Sequence, residues 1–239
     1  MLFRSNAFLE VNGGGTRRLA EAMASRSHPP RLIHLSSIAA REPLLSSYAA
    51  SKRAGEVALK PFVAILKPVI LRPPAVYGPG DGETLRIFSM AERGFFPVPW
   101  GRTQRISMVH IDDVGRAVLA ALQLAPPSGI VIHEFDDASG GYTLAEIAQA
   151  AGRALGTKPR LVPVPVPALY GVGVLGSIVA RLTGRPTLIN WGKVSEILHP
   201  DWVASGPPIA GYIPGWDIDK GFENAVNWYR SRGMLKSNG

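Results

Sequence analysis

The stretch Tyr48-Ala49-Ala50-Ser51-Lys52 places a phenol four residues before an ammonium group. Residues i and i+4 share one face of an α-helix, so a helix here would hold the two side chains together. A free phenol has a pKa of about 10, and a positive charge beside it favours the phenolate. Such a tyrosine can exchange a proton with a substrate hydroxyl or carbonyl. A surface helix that happens to carry a tyrosine and a lysine has the same pattern, so the surrounding sequence must decide.

The elements around this pair are typical of an open α/β sheet. Good helix formers run from Tyr48 to Pro61. A short buried strand is predicted at 31–37 and another at Val69–Leu71, followed by a loop rich in proline and glycine. Ligands of open α/β sheets bind at the carboxyl ends of the strands, so one rim should carry an acid–base site. The residues expected at this rim are Ser36, Ser37, Tyr48, Lys52, Arg72, Pro73 and Pro74.

The rest of the chain divides into an alternating part and a helical part. Strands at 106–113 and 129–135 alternate with helices at Phe8–Ser25, Thr84–Arg93 and Val114–Leu124, where the Asp pair of "HIDD" caps the last helix. This order predicts a parallel sheet with crossover helices. Thr143 and Glu146 form a capping-box pattern for a helix that ends at Gly156. Further helices are predicted at 168–182, 190–198 and 219–232.

Composition narrows the function classes. The 239 residues are 46% hydrophobic and include no cysteine, which excludes disulfides and thiolate metal sites. The net charge is +8, but the basic residues are scattered, so we expect no nucleic-acid partner. The five histidines have no metal-ligand spacing, and no metal is expected. Because no secretory signal is visible, we expect a cytoplasmic protein.

An uncharged segment, 161–180, could contact lipid. Pro163, Pro165 and Pro167 should break its first half and leave about 15 residues for a helix, fewer than the ~20 that a membrane span needs. We interpret it as a buried or pocket-lining helix, with contact to a membrane surface as the alternative.

Four motifs in this order resemble the extended short-chain dehydrogenase/reductase superfamily, of the NAD-dependent epimerase/dehydratase type. They are "HLSS", "YAASKRAGE", "LRPPAVYGPGD" and "VHIDDVGRAV". The resemblance implies a Rossmann-type sheet with a smaller, mostly helical C-terminal substrate lobe, and NAD or NADP as cofactor. It also implies that Ser37 polarises the substrate oxygen, that Tyr48 is the general acid/base, and that Lys52 lowers the pKa of Tyr48 and binds the nicotinamide ribose. Ser36 and the loop Pro73-Pro74-Ala75-Val76 would flank the cofactor, and Asn12 matches an asparagine of the family.

Two departures point to one branch of that superfamily. Sugar-nucleotide enzymes have a longer gap between Ser and Tyr, whereas Ser37 and Tyr48 are 11 positions apart (48 − 37). They also carry an Arg-Asp-aromatic run where this chain has Ile106-Ser107-Met108. The chain is more similar to the 3β-hydroxysteroid dehydrogenase-like branch, which implies a small substrate with a hydroxyl or carbonyl group. The uncharged segment 161–180 is compatible with an apolar substrate. The alternatives are a non-catalytic Rossmann scaffold, similar to the accessory subunit of respiratory complex I, and a lipid-surface protein. A second copy of the chain, forming a homodimer, is a further partner to expect.

The glycine-rich turn that holds a dinucleotide pyrophosphate should precede Asn12. A literal match at Gly171, Gly173 and Gly176, with Glu196 beyond it, follows "VPVPVPALY", which cannot be a central strand. We interpret these glycines as allowing close helix packing, and Gly13-Gly14-Gly15 as a permissive helix start.

We therefore expect a fragment whose sheet lacks its first strands and which is inactive alone. Leu2-Phe3-Arg4-Ser5 corresponds to the end of a widely used sequencing adapter, and we hypothesise that residues 1–5 derive from it. The predicted domains are a truncated Rossmann core, 1–80 and 110–136, and a substrate-binding lobe, 81–109 and 137–239.

Overall fold

The computed structural model of the chain describes residues 7–101, 103–183 and 190–236; the hypothesis about residues 1–5 lies outside them. The strands are β1 Ile33–Leu35, β2 Val69–Arg72, β3 Ala75–Tyr77, β4 Phe95–Pro99, β5 Arg105–Ile106, β6 Met108–His110, β7 Val131–Glu134, β8 Tyr142–Thr143, β9 Arg160–Val164 and β10 Asp201–Trp202. The α-helices are α1 Thr16–Ala24, α2 Ser47–Ala58, α3 Val63–Leu66, α4 Gly82–Glu92, α5 Ile111–Gln123, α6 Leu144–Leu155, α7 Val166–Thr183, α8 Trp191–Leu198 and α9 Ile218–Ser231.

A parallel sheet in the order β1-β2-β7 forms the centre of the fold. Leu35 pairs with Leu71, and Leu71 pairs with His133, so the three carboxyl ends lie at one edge. All four residues of β2 are buried because this strand has neighbours on both sides. Within the described residues β1 has a strand neighbour on one side only, which is β2.

Helices cover both faces of this sheet, which confirms the predicted α/β class. Side chains of successive β2 residues point to opposite faces. Ile70 packs with Leu59 and Leu66 on one face, and Leu71 packs with Ala117 of α5 on the other. A separate cluster from α4, α6 and α9 forms the core of the helical part, centred on Phe88, Ala151, Phe222 and Tyr229.

Several short strands were missed in the sequence. β3 pairs with β6 inside the stretch interpreted as a loop, and β4 pairs with β9 although both contain proline. Proline is tolerated there because each strand of a two-stranded ladder keeps one side that needs no donor.

The N-terminal helix is already helical at Ala7 and Phe8 and contains a π-helical segment, Leu9–Gly15, before α1. The predicted helix start at Gly13-Gly14-Gly15 is therefore wrong, because the helix runs through all three glycines. Close packing on α2 accompanies this geometry: a Cβ on Gly55 would lie 2.8 Å from the Asn12 carbonyl oxygen. The two backbones thus approach each other through a residue without a side chain.

Two other helix starts differ from the prediction. α5 begins at Ile111 and is capped by His110, so Asp112 and Asp113 lie in its first turn and do not cap it. α7 begins at Val166 and includes Pro167, because proline fits the first turn of a helix, where its missing N–H has no intrahelical partner. It therefore has 18 residues, more than the predicted 15.

Candidate active site

Tyr48 and Lys52 lie at the start of α2, on the face predicted for them. The Ser46 hydroxyl caps the helix by accepting a 3.0 Å hydrogen bond from the Ala49 N–H, which fixes Tyr48 in the first turn. The Lys52 Nζ is 5.9 Å from the centre of the Tyr48 ring. It also donates to the Leu35 carbonyl at 3.4 Å, at the end of β1. The pair therefore lies at the carboxyl edge of the sheet, and Tyr48 is 38% exposed there.

Ser37 joins this pair from the end of β1. Its Oγ accepts a 3.2 Å bond from the Ala39 N–H and caps a 3-10 turn, Ile38–Arg41. The Ile38 N–H donates to the Pro73 carbonyl at 3.0 Å, so the ends of β1 and β2 are tied together. The Ser37 hydroxyl interacts with the Tyr48 phenol. Ser37, Tyr48 and Lys52 are thus brought together.

The pKa of Tyr48 is shifted opposite to the direction predicted from Lys52. Burial raises this pKa, the Ser37 hydroxyl lowers it, and the negative charge of Glu196 raises it, with a net rise. Burial also lowers the pKa of Lys52, against the opposing effect of Glu56. Desolvation of the phenol outweighs the expected effect of the ammonium group, so the protonated phenol is the favoured form.

Asn12 reaches the site through α2. Its Nδ2 donates to the Ser51 Oγ at 2.9 Å, one residue before Lys52, and its carbonyl faces Gly55. The π-helical turn brings it there, and such turns occur frequently at functional sites.

Ser36 turns away from the rim. Its Oγ donates to the Glu56 Oε1 at 2.6 Å, in a buried ionic network below the site. Arg72 binds the same carboxylate through two 2.7 Å bonds and reaches Glu134 at 3.3 Å. Burial raises the pKa of Glu56, but hydrogen bonds from Arg72 and Ser36 lower it, and the net shift is downward. Sequence reasoning missed Glu56, although its position four residues after Lys52 on the same helix was a usable signal.

Glu196 is a second residue that was missed. It accepts a hydrogen bond from the Ser46 hydroxyl, so α8 contacts the first turn of the helix that carries Tyr48. A Cβ on Gly192 would lie 3.0 Å from the Ser46 Cβ, which shows how close this contact is. The helical part of the chain therefore contributes a charge to the environment of the phenol.

Residues 3–132 match the model of the family described as NAD dependent epimerase/dehydratase family. The chain belongs to this family. It is 42% identical over 233 residues to the ceramide reductase of Caulobacter vibrioides (strain NA1000 / CB15N), with 97% of this chain and 71% of that protein covered. It is 24% identical over 204 residues to the 2-alkyl-3-oxoalkanoate reductase of Stenotrophomonas maltophilia (strain K279a), covering 82% of this chain and 62% of that protein.

Solved structures share the fold. The gox2253 crystal structure superposes with a TM-score of 0.74 at 19% identity, covering 97% of this chain and 75% of that one. The UDP-glucose 4-epimerase of Thermus thermophilus in complex with NAD gives a TM-score of 0.63 at 23% identity, covering 93% of this chain and 70% of that one. These similarities confirm a Rossmann-type fold with a helical lobe.

The rim predicted to hold the cofactor carries a phenol and an ammonium group, from Tyr48 and Lys52. Pro73 and Pro74 follow β2 at the same edge and are buried. Val76 lies further along, in β3, half-buried against the core that contains Leu71. Gly13 lies in the π-helix and Gly173 inside α7, so neither belongs to a turn that follows a strand. The predicted close helix packing is confirmed at Gly173, where a Cβ would lie 2.9 Å from Val194 Cγ2, and is wrong at Gly171, where a Cβ would have no atom within 4 Å.

Proposed function

We propose that these residues form the acid–base centre of an NAD(P)-dependent carbonyl reductase in which Tyr48 donates the proton to the substrate oxygen. The observation that carries the proposal is the grouping of Ser37, Tyr48 and Lys52 at the carboxyl edge of the sheet, with the phenol partly exposed. A hydroxyl, a phenol and a cation at one rim are what proton transfer to a carbonyl oxygen requires.

The protonation state of Tyr48 favours the reducing direction. Burial and Glu196 raise the pKa of Tyr48, so the phenol carries its proton at neutral pH and can give it to a carbonyl. The Ser37 hydroxyl hydrogen-bonds the substrate oxygen and orients it toward the phenol. The Lys52 ammonium stabilises the phenolate that remains after transfer. A bound nicotinamide cofactor supplies the hydride.

The substrate we propose is a ketone on an alkyl-chain lipid. Both curated relatives are named as reductases, one of ceramide, which is a lipid, and one of a 3-oxo acid with an alkyl branch. The relatives support this class, since one of them is 42% identical over nearly the whole chain.

The test is oxidation of NADH or NADPH with a long-chain 3-oxo amide as substrate. It uses the chain alone and the chain joined behind the first strands and glycine-rich turn of a family member, which we call the reconstituted enzyme. We expect cofactor oxidation by the reconstituted enzyme with the 3-oxo amide and none above background with UDP-glucose. Conversion of UDP-glucose without reduction of the 3-oxo amide would overturn the proposal.

A further inference from the structure

Helix α7 has an unusual distribution of side chains. Six of its large apolar residues are exposed, whereas Gly173 is buried and Ser177 half-buried. The exposed residues are Val172 49%, Val174 42%, Leu175 64%, Ile178 48%, Val179 48% and Leu182 80%. A water-soluble surface helix normally has the reverse arrangement, with its apolar stripe facing the core.

The inward face of α7 is fixed on α8 by small residues. Gly173 is the buried residue of the helix, in contact with Val194 and Asn190. The Ser177 hydroxyl accepts a 3.0 Å bond from the Trp191 N–H. Because one side is held in this way, the opposite arc of the helix is the surface presented to the surroundings, and it is apolar along its length. Only 6% of the helix is buried, at a mean hydropathy of 1.5.

The same apolar character continues into the strand before α7. In β9, Val162 is 43% exposed on the strand face that also carries Arg160, whereas Leu161, 40% exposed, points to the opposite face. Trp100 is 69% exposed. Its backbone N–H donates to the Val164 carbonyl, so this residue lies where β9 ends and α7 begins. Contiguous exposed apolar surface of this kind marks an interaction site on a soluble protein.

The positive charge around β9 and α7 indicates what kind of partner the apolar surface binds. Between Glu146 and Glu196 the sequence has no Asp or Glu, but it has six Lys and Arg. Lys158, Arg160 and Arg181 are exposed beside the apolar surface. Basic residues at the border of an apolar face complement anionic lipid headgroups. A second copy of this chain would bring like charges together, which disfavours self-association through this surface.

We propose that the outward face of α7, with β9, docks on the surface of an anionic lipid bilayer. Val166–Thr183 is long and apolar enough to cross a membrane by length and composition alone. We infer that it lies along the interface instead, because its other side is held by α8. This proposal goes beyond the reaction and does not depend on turnover.

Flotation of the 239-residue chain with lipid vesicles tests the docking. The probes are vesicles of phosphatidylcholine alone and vesicles in which about one third is phosphatidylglycerol. We expect the chain to float with the anionic vesicles, to bind neutral vesicles more weakly, and to be partly released by salt. Absence of flotation with both compositions would overturn the proposal.

A matched pair of double variants locates the surface. Leu175→Glu/Ile178→Glu places two charges on the outward face of α7. Leu119→Glu/Leu122→Glu makes the same change on α5, where the two residues are 63% and 53% exposed. We expect the α7 variant to lower the vesicle partition coefficient at least about tenfold, and the α5 variant to leave it within about twofold. Equal loss in both variants would contradict the assignment.

A second pair tests the basic border without altering the apolar helix. Lys158→Glu/Arg160→Glu should weaken binding to anionic vesicles and leave binding to neutral vesicles unchanged, whereas Arg26→Glu/Lys60→Glu should change neither. Circular dichroism verifies that each variant is folded. Light scattering could instead find a dimer that Leu175→Glu/Ile178→Glu dissociates. If, in addition, the unchanged chain does not float with vesicles, the surface is a self-association interface and the proposal is wrong.

Discussion

The two ends of helix α2 hold their polar side chains in opposite environments, one partly exposed and one buried. At its N-terminal end, Tyr48 is 38% exposed and its phenol interacts with Ser37. Two turns later, Glu56 is 3% exposed and its carboxylate accepts from Ser36, Arg53 and Arg72. One helix therefore carries an accessible proton donor and a saturated buried anion.

This difference in exposure distinguishes a structural residue, Glu56, from a residue that a ligand can reach, Tyr48. The four lone-pair sites of the Glu56 carboxylate are filled by two hydrogen bonds from Arg72 and one each from Ser36 and Arg53, so Glu56 holds α2 against the sheet. Glu134 extends this network through Arg41 to the Asp201 and Val203 carbonyls, in the C-terminal part of the chain. The phenol, by contrast, keeps exposed surface toward which a substrate can bind.

The largest expected effect is on turnover at the accessible end. Tyr48→Phe in the reconstituted enzyme should lower kcat about 10²–10⁴-fold, because it removes the proton donor. Cofactor affinity should stay nearly constant, and the free energy of unfolding should change by less than about 1 kcal/mol. Tyr142→Phe, which removes a phenol that donates to Asp137 in the helical part, is the control and should keep normal turnover. Near wild-type turnover of Tyr48→Phe would end the acid–base assignment.

The next effect is on stability at the saturated end. Arg72→Met should cost about 3–5 kcal/mol in the free energy of unfolding, since it leaves the buried carboxylate of Glu56 without its main partner and removes one of the partners of Glu134. Arg153→Met is the matched control: Arg153 binds Asp219 at 2.7 Å, but both side chains are 57% exposed. Its loss should cost less than about 1 kcal/mol. Urea titration measures both, and equal losses would show that burial does not distinguish the two pairs.

Acid should weaken the network through Glu56. Its folded-state pKa lies below the ordinary value of 4.5, so its stabilising contribution is complete above that value and is lost as the pH falls through the folded pKa. Glu56→Gln has no such proton to bind. Its free energy of unfolding should therefore change less between about pH 6 and pH 3 than that of the unchanged chain.

The sequence was sufficient for the central elements because their signals are local. β1, β2, β7 and α2 combine apolar runs or helix formers with clear boundaries, and the capping box at Thr143 and Glu146 is present as predicted. The short ladders could not be predicted, because β4 and β9 each have their own prolines and acquire strand geometry only by pairing.

The site was predictable where spacing alone fixes the geometry, as for Tyr48 and Lys52. Ser36 and Ser37 show the limit. Neighbouring residues of an extended chain point in opposite directions, so only one of two adjacent serines can face the rim. Ser37 interacts with Tyr48, whereas Ser36 is directed to Glu56. Glu196 was beyond sequence reasoning, since 150 positions separate it from the Ser46 hydroxyl it binds.

The smallest expected effect comes from the charge of Glu196. This charge links α8, in the helical part, to the Tyr48 phenol on α2. Glu196→Gln keeps an oxygen that can accept from Ser46 but removes the negative charge that raises the pKa of Tyr48. The pKa of Tyr48 should fall, and the alkaline limb of the reduction rate should move to lower pH, because the phenol must be protonated to act. Titration of tyrosinate absorbance against pH measures the shift directly. The change must disappear in the Tyr48→Phe background, which assigns it to this phenol and not to another tyrosine. Glu223→Gln removes the same charge from an exposed position on α9 and should leave the titration unchanged. An unchanged Tyr48 titration in Glu196→Gln would mean that α8 serves only to pack against the site.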